Sequence, residues 1–334
     1  MSGEAVPLTL LLSRADIAGL MDADAWLAAV EKGFASFAAG KANTPTPMVI
    51  TGRGGTFHAK GASIDLDRSY VALKLNGNFP DNPATRGLPT IQGALLLCDG
   101  EDGALLAVMD SIEITLRRTA AATALAARFL ARPDSRTILI CGCGEQGSAQ
   151  LAALQAVLPL ERAAAWDRDA GRSRIFAEAH SRDGLVVAAV SDLAHASRAS
   201  DVIVTCTTAR SPFLEASFVR PGTFVAAVGA DSPEKSEIYP DLMRRALVVA
   251  DVLDQCAVMG DLRHAMAAGI LSRDDIHAEL AQLVSGVRAG RSDENQVTLF
   301  DSTGSALQDV AVAVLVRERA LAAGGFSSMS FARQ

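Results

Sequence analysis

Apolar and polar positions follow three rhythms along this chain. Leu8 to Leu12 is a short apolar run that reads as a strand, and Ser13 to Ala39 reads as a helix with a break near Asp22. From residue 45 to 100 the pattern shortens to β-like runs, Met48–Ile50, Val71–Leu75 and Gly93–Cys98, separated by Gly, Pro, Asn and Asp turns. That predicts a mixed, largely antiparallel module. Ser111 to Ala131 is an alanine-rich helix stopped by Pro133, and its small side chains suit a helix joining two domains. From Arg136 the rhythm becomes strand–helix–strand, with strands expected at 137–141, 162–166, 185–190, 201–206, 223–228 and 246–251. Such alternation implies a parallel sheet with helices on both faces. A last strand–turn–helix begins at Val297, and its helix, Ala306 to about Ala323, is expected to pack back on the first module. The expected fold is α/β: a parallel-sheet domain over residues 125–304, inserted between residues 1–124 and 305–334 of a second domain.

The first strand of the parallel set runs into Gly142-Cys-Gly144-Glu145-Gln146-Gly147 and then into a helix-forming segment. Strand, G-x-G-x-x-G and helix together are the signature of a dinucleotide-binding βαβ unit. Gly142 permits the tight turn, Gly144 lets amides approach a pyrophosphate, and Gly147 lets helix and strand pack closely. The helix N-terminus adds free N–H groups and partial positive charge. Asp167 ends the next strand twenty positions beyond Gly147, where the motif places the acid that binds the adenosine ribose. Arg168 follows and can meet a 2′-phosphate, so NAD is expected ahead of NADP.

Composition narrows the partners. The chain has 334 residues, 49% hydrophobic and 21% charged, with a formal charge of −7, which argues against nucleic acid or an anionic membrane. No apolar run approaches a membrane span, and the N-terminal patch lacks the basic flank of a signal peptide. Cys98, Cys141, Cys143, Cys206 and Cys256 form no C-x-x-C pair and read as free thiols in a reducing cytoplasm. The histidines show no zinc-site spacing, so no metal is expected.

Four segments offer groups for chemistry. Lys74 interrupts an apolar strand, which is costly unless an anion meets it; the other reading is a strand-edge lysine facing water. Arg117-Arg118-Thr119 lies in the alanine-rich helix, where adjacent residues point about 100° apart, so one arginine at most aims into a given cleft. Asp231 follows a strand of the nucleotide domain, at the carboxyl end where ligands bind, and a carboxylate there can transfer a proton; it can equally cap a turn. Thr90 lies in the turn Arg86-Gly-Leu-Pro-Thr90-Ile-Gln92.

With these residues in hand, the chain resembles the ornithine cyclodeaminase/mu-crystallin family, which includes an archaeal-type alanine dehydrogenase and ketimine reductases. The matching stretches are Lys74-Leu-Asn-Gly-Asn-Phe-Pro-Asp-Asn, Gly87-Leu-Pro-Thr90, Leu116-Arg-Arg118-Thr119-Ala-Ala, Leu130-Ala-Arg-Pro-Asp-Ser, Gly142-Cys-Gly-Glu-Gln, Gly229-Ala-Asp231-Ser-Pro-Glu-Lys235 and Thr298-Leu-Phe-Asp301-Ser-Thr-Gly304. They occur in the family's order from about residue 45 onward.

The resemblance implies a Rossmann-type domain inserted into an α+β substrate-binding and dimerisation domain, and a homodimer. It implies that Lys74 and Arg118 hold a substrate carboxylate, that Asp231 is the proton-transfer group and that Thr90 lines the pocket. The expected cofactor site comprises Gly142, Gly144, Glu145, Gln146, Gly147, Asp167, Arg168, Thr119, Thr207, Val228 and Ser302. Ornithine-using members place a basic residue near Pro47 and an acidic one near His58. This chain has Pro47, then Phe57-His58-Ala59-Lys60-Gly61, so a second carboxylate contact is expected from Lys60 or Arg53, with His58 beside it. The expectation is an NAD(P)H-dependent reductase of a small cyclic imino acid, Δ1-pyrroline-2-carboxylate to L-proline. The alternatives are ornithine cyclodeaminase, an alanine dehydrogenase-like enzyme and a non-catalytic mu-crystallin-like binding protein.

Overall fold

The computed structural model describes residues 8–331. Packing divides the chain into two compact units, one built from the chain up to Arg118 and from Ser305 onward, the other from Thr119–Gly304. The division falls inside a helix, where the sequence reading set it after residue 124.

The first unit opens with β1 (Thr9–Leu12), α1 (Arg14–Leu20) and α2 (Ala23–Ala38), the helices parted at Asp22, which caps α2 by accepting from the Ala25 N–H. There follow β2 (Ala42–Asn43), β3 (Met48–Gly52), β4 (Gly55–Asp65), β5 (Ser69–Asn78), α3 (Asn82–Arg86), β6 (Ile91–Asp99), β7 (Leu105–Asp110) and α4 (Ser111–Leu130). The sheet order ends β1-β7-β6-β5-β4-β2, with β3 also on β4, and every pairing among these is antiparallel except β1 with β7. Neither β4 nor β7 was expected as a strand. Over residues 70–75 of β5 the alternation is unbroken: Tyr70, Ala72 and Lys74 are buried while Val71, Leu73 and Leu75 are exposed.

The second unit contains β8 (Thr137–Cys141), α5 (Glu145–Gln155), β9 (Arg162–Trp166), α6 (Ala170–His180), β10 (Val186–Ala189), α7 (Leu193–Ala199), β11 (Val202–Thr205), β12 (Phe224–Ala227), α8 (Pro240–Arg245), β13 (Leu247–Ala250), α9 (Leu253–Met259), α10 (Asp261–Ala267), β14 (Ala278–Glu279), α11 (Leu280–Val284) and β15 (Thr298–Asp301). Its sheet is parallel throughout, in the order β10-β9-β8-β11-β12-β15-β13-β14. β11 and β12 are buried at every position, as continuous apolar strands covered on both faces require. The chain leaves β8 toward β9 and β10 and then resumes on its other side at β11. That reversal opens a crevice at the carboxyl ends of β8 and β11, the ligand site of this architecture.

The chain then returns to the first unit through α12 (Ala306–Ala323) and ends in β16 (Ser328–Met329), which pairs with β1. α12 packs on α2, β4 and β5. Its residues 306–314 are all buried, which marks a central helix, yet Gln308 and Asp309 are polar. The expected Rossmann-type sheet inserted in an α+β unit is what the chain forms.

Candidate functional site

In the first unit, β5's alternation puts Lys74 on the helix-covered side, only 3% exposed, so it is not a strand-edge lysine. Its Nζ lies 2.7 Å from Asp309 Oδ2 on α12 and donates to Thr115 Oγ1 on α4 at 3.0 Å. Arg118, one turn along α4 from Thr115, donates through Nε to Asp309 Oδ1 at 2.9 Å and through an Nη to Gln308 Oε1 at 3.0 Å. Arg117 instead pairs with Glu113, four residues back, and is half-exposed. Lys60 is buried directly across the β4–β5 ladder from Lys74. Like charges so placed repel.

Three cations and the carboxylate of Asp309 therefore share this buried place. Burial lowers the Lys74 pKa to about 7, Arg118 and Lys60 push the same way, and Asp309 resists. Although burial works against its charge, Arg118 and Lys74 hold the Asp309 carboxyl below the usual range. Such a set is built to take an anion, which would relieve the repulsion among its cations.

Further along the same ladder His58 faces Asn76. The His58 ring lies 3.2 Å from Thr56 Oγ1, and Asn76 Oδ1 accepts from Ser111 Oγ at 2.6 Å. Arg53 sits exposed in the β3–β4 turn, away from this ladder. Thr90 lies in the loop before β6, its carbonyl accepting from the Phe79 N–H at 2.8 Å.

In the second unit, Gly142 leaves β8 with φ +108°, and a Cβ there would come 2.8 Å from the Cys206 carbonyl. A Cβ on Gly147 would lie 2.2 Å from the Gly142 carbonyl oxygen, so only glycine lets α5 pack this close. Gly144, the N-cap of α5, has open space where a Cβ would be. Glu145 and Gln146 form the first turn behind it. This is a cradle for a pyrophosphate. Asp167, just past β9, accepts from the Cys143 N–H at 2.9 Å and the Asp169 N–H at 3.0 Å, which fixes its carboxylate at the rim; Arg168 is exposed. The residues present fit a dinucleotide.

Of the remaining expected cofactor residues, Thr207, Val228 and Ser302 follow the carboxyl ends of the neighbouring parallel strands β11, β12 and β15, on the same sheet edge as the glycine loop after β8. Thr119 is buried in α4, Val228 is buried just past β12, and the Ser302 hydroxyl donates to Asp251 Oδ2 at 2.9 Å. Thr207, just past β11, gives its N–H and hydroxyl to Glu237 Oε1 at 2.6 and 2.7 Å. Asp231 lies in the loop after β12, half-exposed, with Lys235 Nζ 2.5 Å from its carboxylate.

The sequence reading passed over three carboxylates. Asp309 carried one available signal, an acid among the apolar positions of a helix otherwise fit for the core. Glu237 is wholly buried, and burial together with Asp261 pushes its pKa up to about 7 against the hydrogen bonds of Thr207 and Thr205. Asp261 accepts from Ser236 Oγ and from the N–H groups of Glu237 and Ile238, and burial raises its pKa as well.

Comparison with known proteins fits this layout. The model of the ornithine cyclodeaminase/mu-crystallin family matches residues 8–324. An alanine dehydrogenase from Archaeoglobus fulgidus is 36% identical over 97% of this chain and 99% of its own length. The structure of an archaeal alanine dehydrogenase dimer with bound NAD superposes with a TM-score of 0.92 at 35% identity, covering 97% of this chain and 99% of that one. A Δ1-pyrroline-2-carboxylate reductase from Thermococcus litoralis, in complex with NADH and L-proline, gives 0.91 at 32% identity, covering 96% and 100%.

Proposed function

The chain belongs to the ornithine cyclodeaminase/mu-crystallin family, and from that membership we propose that it reduces a small cyclic imino acid, Δ1-pyrroline-2-carboxylate, to L-proline with NADH or NADPH. It is an NAD(P)-dependent oxidoreductase acting on C–N bonds; the substrate is the proposal. The observation that carries it is the buried set of Lys60, Lys74 and Arg118 around Asp309, a ready site for a carboxylate beside a neutral polar ladder.

Lys74 and Arg118 hold the substrate carboxylate with charge-assisted hydrogen bonds and orient the imine carbon, with Lys60 adding to the field. The reduced dinucleotide, when bound, supplies the hydride that this carbon takes. Asp231 gives its proton to the imine nitrogen, so the C=N bond becomes C–H and N–H, and Asp231 then regains a proton from water. Asp167 holds the adenosine ribose, which favours NAD, while exposed Arg168 leaves NADP usable.

Ornithine carries a distal ammonium whose unpaired burial costs several kcal/mol. His58, Asn76 and Thr56 extend the ladder with no carboxylate among them, which supports a ring without that charge. The rival reading is amination of pyruvate to alanine, favoured by the similarity to alanine dehydrogenase over nearly the whole chain. For the assembly we propose a homodimer: Val71, Leu73 and Leu75 expose one apolar face of β5, and the archaeal alanine dehydrogenase is a dimer. Five free thiols suit the cytoplasm as the compartment.

The test follows absorbance at 340 nm with NADH and NADPH against Δ1-pyrroline-2-carboxylate and pyruvate plus ammonia, and ammonia release from L-ornithine with catalytic NAD. Oxidation of reduced cofactor by the pyrroline is expected. Turnover of pyruvate and ammonia alone, or steady ammonia release from ornithine with no reduction of the pyrroline, overturns the reading.

A further inference from the structure

Glu237 is held by four donors, one from the last residue of β11 and three from the loops after β11 and β12. Its Oε1 accepts from the N–H and hydroxyl of Thr207, past the end of β11, at 2.6 and 2.7 Å. Its Oε2 accepts from Thr205 Oγ1 at 2.7 Å and from the Gly229 N–H, past the end of β12, at 2.9 Å. A Cβ on Gly229 would stand 2.5 Å from the Glu237 carboxylate, so residue 229 must be glycine for the acid to come this close. Two residues on is Asp231, whose N–H closes a turn onto the Gly229 carbonyl at 3.1 Å. From the other side Lys235, two residues before Glu237, reaches the Asp231 carboxylate. The Glu237 segment is itself anchored, because Asp261 Oδ1 takes the N–H groups of Glu237 and Ile238 at 2.8 and 3.1 Å.

We propose that Glu237 is a positioning residue, a buried carboxylate that ties the Gly229–Asp231 turn to the end of β11 and thereby sets where Asp231 stands. The role rests on Asp231 being the proton donor of the proposed reaction. Glu237 acts on the segment that carries the acid and itself touches neither substrate nor cofactor in that scheme, although it also holds Thr207, an expected cofactor residue. Four donors onto two oxygens need a carboxylate: an amide turns an NH2 group against N–H donors on one side, and aspartate is a methylene too short. Parting a buried acceptor from its donors leaves each of them without a partner.

The test uses the full chain and has two arms. Hydrogen exchange followed by mass spectrometry, with no substrate, reports the amides of residues 225–236 in wild type and E237Q. Faster exchange at 229–231 in the variant is expected; unchanged exchange overturns the clamp. The second arm is a double-mutant cycle on turnover with D231N. E237Q alone should lower kcat by about 10²-fold, as expected for a misplaced proton donor, with KM for the imino acid changed by less than about threefold. In the D231N background the same change should cost nothing further. A purely structural role gives additive losses in that background, which overturns the proposal. Should E237Q fail to fold, T205V removes one hydroxyl donor in an isosteric side chain and must show the same pattern at smaller amplitude. A wild type that turns over no imino acid refutes the proposed substrate, while the exchange arm still decides whether the clamp exists.

Discussion

Lys74 and Asp309 form an ion pair of 2.7 Å between an interior strand of one sheet and the helix laid across it, with both side chains almost wholly buried. A buried pair seldom adds net stability over an apolar contact of the same shape, and breaking one half costs about 3–5 kcal/mol. Its worth here lies in what it holds ready: an ammonium close to its neutralisation point, beside Arg118 and Lys60.

That ammonium makes substrate affinity depend on pH. The folded-state pKa of Lys74, about 7, lies below the ordinary 10.5, so the folded chain releases this proton first as pH rises. Between those values the unfolded chain holds more protons, and by linkage this group's contribution to stability grows with pH through that window. Carboxylate binding needs the protonated form, so KM for the imino acid should climb above pH 7. Binding at pH 8 should also take up a proton, because the new anion raises the Lys74 pKa. Calorimetry in two buffers of different ionisation enthalpy measures that uptake; identical heats in both would refute it.

The two adjacent arginines should separate cleanly. Arg118→Ala removes a buried partner of Asp309 and should raise KM, lower kcat and cost about 3–5 kcal/mol of stability. Arg117 is a half-exposed partner of Glu113, so Arg117→Ala should cost about 0.2–1 kcal/mol and leave kinetics near wild type. Steady-state kinetics with thermal melts of both variants decide it, and equal kinetic losses would mean the wrong helix face has been assigned.

For Asp231→Asn we expect a folded protein that binds NADH as wild type does but turns over about 10²–10⁴-fold more slowly, since an amide supplies no proton. Fluorescence titration of NADH and single-turnover rates give the two numbers. Near-normal turnover would reduce Asp231 to a turn residue held by Lys235.

Asp167→Ser should move the ratio of NADH to NADPH affinity toward NADPH by about tenfold, or about 1.4 kcal/mol, as the carboxylate facing a 2′-phosphate is removed. Dissociation constants for both cofactors test this. An unmoved ratio would leave the Cys143 and Asp169 amides as the whole business of that carboxylate.

How much of this was legible in the sequence depended on how local each feature is. Apart from the two-residue β14, which was not expected, the strands of the parallel sheet fall within a residue or two of their expected ends, because a strand covered on both faces is a plain apolar run. The glycine loop and Asp167 were readable for the same reason: one βαβ unit contains all their partners. β4 escaped notice because His58 and Lys60 occupy its covered face and break the alternation that marks a strand. Polar residues of the candidate site thus hid the element that carries them. The partners of Asp309 and Glu237 were illegible in another way, since they lie far off in sequence or on neighbouring strand ends, and no period reports a tertiary ion pair or clamp. Helical geometry said only that Arg117 and Arg118 diverge; which one turns inward was settled by α12.

The place of β15 in the parallel sheet has a consequence for biosynthesis. β12 and β13 do not touch each other as neighbours; β15 lies between them, although it is made after both. Until residues 298–301 leave the ribosome, the nucleotide-binding sheet exists as two parts with open edges facing a missing strand. α12, which covers β4 and β5, emerges later still. Neither unit can close before these late segments have emerged, so the two complete at nearly the same stage of synthesis. A chain ending before residue 298 would therefore give no independently folded nucleotide-binding fragment, only exposed strand edges for chaperones or proteases to find.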